Sequence, residues 1–339
     1  MTSRHTVLCL GEILLRLTPP RKELLLQSPE LRATFAGAEA NVAVALASFG
    51  HRTKMLSVLP DQMIAGAAKS ELRRHGVDVS AIATGPGRMG LFYLVPGAVR
   101  RPTELDYDRK GSAFALNPVL ADPTPHFHDA CWLHVSGVTP ALGRNCADMT
   151  IKAVTDAREQ GLHVSFDGNY RSKLWESWDS DAPDILRSIL GQSNTFFGDE
   201  RDLALILKSP FTAESASERR RLAIAEAFSK FPKLQTIACT SRASKAADHQ
   251  SYGAELFTRD SHTEVAPVDL AGIVDRIGTG DAFAAGIIHG MLSSMPSQQM
   301  LAFAHAAACL KHSIPGDFLT LGVKAVEAAI GNDILDVRR

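Results

Sequence analysis

The apolar positions along this chain fall into short, nearly continuous runs separated by longer stretches with helical spacing. The runs are "HTVLCLG" (5–11), "TKMLSVLP" (53–60), "CWLHVSG" (131–137), "LHVSFDG" (162–168), "SNTFFG" (193–198), "TIACT" (236–240) and "AELFT" (254–258). Unbroken apolar character of this kind marks a strand covered on both faces, where neither side meets water. Between the runs, residues about 142–159, 181–190, 199–207 and 216–230 carry helical patterns, as does a stretch through Ala65, Leu72 and Arg73. Strands alternating with helices predict an α/β fold, with a mostly parallel central sheet between two helical layers.

Two stretches depart from that alternation. Residues about 12–35 and 89–109 ("MGLFYLVPGAVRRPTELDYDR") carry short alternating apolar and polar runs, the second with Pro96 and Gly97 inside it. They predict hairpin strands, not crossover helices. Inserted after core strands, they can form a small β lid at the sheet edge, and an exposed patch on that lid suits a homodimer contact. No low-complexity linker or internal repeat divides the chain, so residues 1–339 are expected to form a single domain with the lid segments inserted in it. The last third is helix-rich, from "GDAFAAGIIHGMLSSM" through "SQQMLAFAHAAACLKHS" to "LGVKAVEAAIG". His289, His305 and His312 fall on these helices and are assigned to packing or solvent.

Composition narrows the function. A chain of 339 residues, 45% hydrophobic and 22% charged with formal net charge -1, is an ordinary globular protein with a sizeable core. It has no field to attract nucleic acid or an anionic membrane. The run Arg219, Arg220, Arg221 lies among Glu214, Glu218 and Glu226 and reads as a solvated helix face. Five scattered cysteines fit buried thiols in a reducing compartment, and no CxxC or HExxH spacing points to structural zinc. "TVLCLG" is cut short by Glu12, and no run of roughly 18 apolar residues is present, so a cytoplasmic protein is expected.

The stretch that carries chemistry is "DRIGTGDAFAAG" (275–286). Gly278, Thr279 and Gly280 open a helix whose unpaired N–H groups and positive dipole end favour an anion. Gly278 and Gly280 have no Cβ to hold a phosphate away. Asp281 is then either a helix cap or a general base that takes a proton from an attacking hydroxyl. A second glycine-opened helix begins at "GAEAN", where Gly37 precedes Asn41, an amide able to meet a polyol. Arg109 and Arg171 are the cations best suited to clamp a carboxylate with two parallel hydrogen bonds, and Arg171 follows an inferred strand end, where α/β proteins place ligand groups.

"GAEANVAVALASFG" and "DRIGTGDAFAAG" together resemble the two signatures of the ribokinase-like (PfkB-type) carbohydrate kinases, with Thr279 in place of an alanine. The blocks "YDRKGSAFA", "LHVSGVTPAL", "SFDGNYRSKLW" and "KHSIPGDF" resemble the 2-keto-3-deoxygluconate kinase branch in order along the whole chain. The resemblance implies a three-layer α/β/α core with a small β-sheet lid, often used for dimerisation. It implies ATP-dependent phosphorylation of a keto-deoxy sugar acid at its terminal hydroxyl, with Mg2+ delivered with the nucleotide. Carried over, Asp281 is the catalytic base and Gly278, Thr279 and Gly280 form the anion hole. Gly37, Asn41, Phe92, Tyr107, Arg109, Val138, Arg171 and Asp317 fall in the substrate site, with Tyr93 as the alternative to Phe92.

Two departures bear on the nucleotide half. Many relatives have an Asn-x-x-Glu that organises magnesium through water, and the matching places here hold Gly198 and Arg201; Asp199 or Glu200 could substitute, and the metal ligands are left unassigned. The usual Lys-x-Gly-x-x-Gly is missing from "CTSRASKAADHQSYGA" (239–254), where Thr240, Ser241 and Arg242 offer donors to the phosphates, alongside Gly278 and Gly280. A sister kinase for the C4 epimer or a neutral ketose, and a non-catalytic sugar-acid sensor, remain alternatives. "VLCLG" runs into Glu12 and Ile13, without the glycine-rich turn of a dinucleotide-binding strand.

Overall fold

The computed structural model describes residues 5–331, and the structural statements below concern these. Its strands are β1 (Thr6–Leu10), β2 (Leu14–Thr18), β3 (Arg32–Ala36), β4 (Arg52–Leu59), β5 (Ile82–Thr84), β6 (Gly90–Val95) and β7 (Glu104–Asp108). They continue as β8 (Ala130–Ser136), β9 (His163–Asp167), β10 (Thr195–Phe197), β11 (Thr236–Ala246), β12 (His249–Thr258) and β13 (His262–Ala271). The helices are α1 (Ala38–Ser48), α2 (Met63–Arg74), α3 (Ala113–Leu116), α4 (Arg144–Glu159), α5 (Ser172–Trp175) and α6 (Ala182–Leu190). After them come α7 (Glu200–Leu207), α8 (Ala216–Lys230), α9 (Thr279–Leu292), α10 (Ser297–Lys311) and α11 (Val323–Glu327).

Nine strands form the large sheet in the order β13-β12-β11-β10-β9-β8-β1-β4-β5. From β11 to β5 every neighbour is parallel, while β11, β12 and β13 are antiparallel. β1 lies near the middle and every one of its residues is buried, as an apolar run with no polar face requires. One face of the sheet is covered by α1, α2, α9 and α10, the other by α4, α6, α7 and α8, each layer enclosing its own apolar cluster. Small residues let α9 and α10 approach closely: a Cβ on Gly286 would lie 2.5 Å from Ala304 Cα.

A separate four-stranded sheet has the order β3-β2-β6-β7. Its strands fall at 14–18, 32–36, 90–95 and 104–108, and Phe92 of β6 pairs with Tyr107 of β7. Among the described residues no helix is long and apolar enough to cross a membrane, and all five cysteines are free.

Three expectations are corrected. "TIACT" and "AELFT" are parts of much longer strands, paired from Thr236–Thr258 to Ala246–His249, so the stretch 239–254 between the two runs is a β-hairpin. β13 carries no apolar run because most of its residues are exposed, and periodicity gave no sign of it. Arg220 does not lie on a solvated face: it is 9% exposed and its guanidinium pairs with Glu200 and Glu255. The helical histidines are packed, His289 against His51, Phe49 and Phe303, and His305 on the Tyr252 carbonyl.

Candidate active site

A cleft of about 750 Å³ opens beyond the carboxyl ends of β8, β9, β10 and β11, the place where parallel sheets receive ligands. Val138, Asp167 and Phe197 mark the ends of β8, β9 and β10, Thr240 lies beside them along β11, and Leu14, Phe92, Leu105 and Tyr107 of the small sheet face them. Phe92 and Tyr107 contact each other, ring centroids 5.9 Å apart. Tyr93 does not line the cleft; strand alternation turns it to the opposite face.

The start of α9 forms one wall. Gly278 is its N-cap with φ +80°, and a Cβ there would lie 2.0 Å from the Asp317 carbonyl oxygen, so glycine is required twice over. The first intrahelical bond runs from Ala282 N–H to Gly278 O, leaving the preceding N–H groups without helical partners. Around Gly280 the space is open: the nearest atom to a Cβ would be Arg242 Nη2 at 3.9 Å. Asp281 is the third residue of the helix and caps nothing. Its Oδ2 instead accepts a hydrogen bond from Asn41 Nδ2 at 2.6 Å. The cap alternative is therefore not realised.

On one side of the cleft, Arg109 is 5% exposed, and its Nε donates to Glu12 Oε2 at 2.6 Å while its side chain borders the cleft. Arg171 is exposed, donates to the Tyr170 carbonyl, and borders the same cleft. Gly37, Asn41, Val138, Thr279 and Asp317 line it as well. On the opposite side are Thr240, Arg242 and Arg276. Ser241 lies outside the lining; it faces β12, where a Cβ on Gly253 would meet its Oγ at 2.8 Å. Alternation along β11 separates it from its neighbours. Among the described residues neither Arg242 nor Arg276 forms an ion pair, and both approach the α9 N-terminus.

A family model described as pfkB family carbohydrate kinase matches residues 4–317. The chain belongs to that family. A 2-dehydro-3-deoxygalactonokinase of Haloferax volcanii is 31% identical to this kinase over 320 residues, covering 94% of this chain and 95% of the relative. A 2-dehydro-3-deoxygluconokinase of Bacillus subtilis is 28% identical, covering 83% and 82%. The solved 2-dehydro-3-deoxygluconokinase of Thermotoga maritima superposes with a TM-score of 0.91 at 33% identity, over 97% of this chain and all of that one.

The kinase concentrates carboxylates that sequence reading left out. Asp167, at the end of β9, and Asp202, in α7, both line the cleft. Burial, helped by the charges of Asp281 and Asp202, pushes the Asp167 carboxyl up to about 8. Burial and the nearby Asp199 bring Asp202 to about 6. Burial raises Asp281 to about 7, with the Asn41 bond opposing the rise and Asp317 adding to it. Glu39, held by Thr139 Oγ1 and Ser136 N–H behind the cleft, is likewise pushed up to about 7 by burial.

These acids bear on the metal question. Asp199 is the N-cap of α7 and Asp202 its N3 residue, joined in a capping box, with Arg201 turned back onto Asp199. An acidic pair with the spacing of Asn-x-x-Glu is thus present one residue later than the places Gly198 and Arg201 that the sequence suggested. Repulsion among Asp167, Asp199 and Asp202 would be relieved by a cation, and carboxylate oxygens suit magnesium. The signal was the strand-end aspartate in "SFDGNYR" and the i, i+3 acids in "GDERD".

Proposed function

We propose that the protein transfers the terminal phosphoryl group of ATP to the C6 hydroxyl of 2-dehydro-3-deoxy-D-gluconate, giving 2-dehydro-3-deoxy-6-phospho-D-gluconate and ADP. The observation that carries this reading is a single cleft in which Arg109, Arg171 and Asp281 converge. A neutral sugar has no use for two arginines, whereas a sugar acid needs its charge paired once water is excluded. The names of the Bacillus and Thermotoga relatives support the same substrate.

In this reading the arginines hold the substrate carboxylate and direct the far end of the sugar toward Asp281. Asp281 accepts the C6 hydroxyl proton as that oxygen attacks the phosphorus, a task suited to a carboxylate poised near neutrality. The N–H groups at Gly278, Thr279, Gly280 and Asp281 take the charge that builds on the transferring phosphoryl. Thr240, Arg242 and Arg276 face the remaining donor phosphates. Asp167 and Asp202 would hold magnesium, which when bound screens the phosphate charge. The small sheet acts as a lid that excludes water and favours transfer over hydrolysis.

The C4 epimer is the second reading, favoured by the Haloferax relative, a 2-dehydro-3-deoxygalactonokinase. A coupled ADP-release panel with both epimers, fructose and ribose tests both. The highest kcat/KM is expected on the gluconate-derived acid. Preference for fructose would overturn the carboxylate clamp, and sugar-acid binding without ADP release would point to a sensor. A cytoplasmic homodimer completes the proposal: Leu24, Leu25, Leu26 and Val99 are exposed on the connections at one end of the small sheet, where a second copy would cover them. Sedimentation equilibrium tests that assembly.

A further inference from the structure

One buried side chain joins the small sheet to the start of α9. Arg16, on β2, is 4% exposed and all three of its guanidinium nitrogens donate. Nε donates to Thr18 Oγ1 at 2.9 Å, Nη1 to Asp317 Oδ1 at 2.6 Å and Nη2 to Asp275 Oδ2 at 2.7 Å. Both acids are buried and come from the other end of the chain. Asp275 also accepts Ile277 N–H on Oδ1 and Gly316 N–H on Oδ2, each at 3.0 Å. These bonds pin the two segments that cross where Gly278 passes the Asp317 carbonyl. Lys311 is the other buried cation near these acids, and its Nζ donates to the Ile314 carbonyl.

We propose that Arg16 is a positioning residue for phosphoryl transfer, holding Asp317 at the cleft and fixing the Gly278–Asp281 turn relative to the small sheet. The proposal rests on the reading of Asp281 given above. Two neighbouring buried carboxylates repel unless a cation lies between them, and a planar guanidinium satisfies both at fixed angles where an ammonium cannot. Without Arg16 the 275–278 and 316–317 segments lose their common anchor, and the N–H groups and Asp281 drift from the line of attack. Leu14, on the same strand, lines the cleft, so substrate packed on the small sheet is tied to the turn through β2.

The test compares Arg16→Met, Arg16→Lys and Asp281→Asn by steady-state kinetics on the sugar acid and ATP, with thermal melts to establish folding. Arg16→Met should lose on the order of 100-fold in kcat, the size of an ångström-scale misplacement, while either KM moves less than about threefold. Arg16→Lys should recover part of that loss. A folded Arg16→Met protein with wild-type kcat, or one whose loss is entirely in KM, overturns the inference. If Arg16→Met does not fold, Arg16→Lys decides: a lowered kcat at unchanged KM supports the role and an unchanged kcat removes it. Activity in Asp281→Asn would instead bring down the base assignment, so the two failures are distinguishable.

Discussion

Asn41 Nδ2 donates a 2.6 Å hydrogen bond to Asp281 Oδ2, joining residues 240 positions apart at the meeting of two glycine-opened helices. The bond favours the ionised carboxylate and so opposes the rise that burial imposes on Asp281. Removing it should raise the proton affinity of Asp281 further. In Asn41→Ala the acid limb of kcat/KM should move to higher pH, and each unit of displacement costs about tenfold in activity on that limb. Asn41→Asp should move it further in the same direction, because two adjacent carboxylates resist ionising together. A limb that stays in place, or moves toward acid, contradicts the link between the two residues.

Asp281→Asn keeps the size of the side chain and removes the proposed base. Turnover should fall by roughly 10²–10⁴-fold, the usual worth of a general base, while calorimetry shows sugar-acid binding within a few-fold of wild type. Near-normal turnover in a folded variant would contradict the assignment.

Arg171 is exposed and is not part of a buried ion pair, so Arg171→Ala tests recognition with little cost to the fold. A hydrogen bond to a charged group is worth about 1.5–3 kcal/mol, so KM for the acid should rise roughly 10- to 100-fold. The methyl ester of the same sugar should be affected little. Equal weakening of acid and ester would remove the carboxylate clamp.

Asp167 makes a prediction about stability. Burial holds its folded value at about 8, well above the usual carboxylate range, so the folded state binds more protons through this interval. Its favourable contribution is therefore complete below about pH 4 and is lost as pH rises through about 8. Asp167→Asn should melt higher than wild type at pH 8, by roughly 1–2 °C if the relief is about 1 kcal/mol, with the gain shrinking toward pH 5. Differential scanning calorimetry at the two pH values measures it. A gain that is larger at pH 5 has the wrong sign.

Much of the fold is legible in the chain because it follows from short-range pattern. The run "TVLCLG" has no polar face and becomes the buried β1, and the helical spacing at 181–190 and 216–230 becomes α6 and α8. β13 escaped because an exposed edge strand buries little and leaves no apolar period. The extent of the strands across 239–254 was not legible for a related reason: the residues between "TIACT" and "AELFT" are largely polar, yet backbone pairing with β12 carries β11 through to Ala246.

The glycine turn that opens α9 could be read from its letters, since glycines at a helix start have a local steric meaning wherever they occur. Of the acid pair, Asp199 was among the candidates and Asp202 was missed, because only the capping geometry of α7 shows which acid starts the helix and which follows one turn later.

By itself, then, the sequence determined the layers of the fold, the glycine turn and the stock of charges available to a site. Those depend on burial and on backbone sterics, which act between near neighbours. Only the tertiary structure decided which charges meet: Arg109 with Glu12, Asn41 with Asp281, and Arg16 with Asp275 and Asp317. An arginine on a strand reads the same whether it faces water or two buried acids, and the difference arises when distant segments are packed together and solvent is removed from between them.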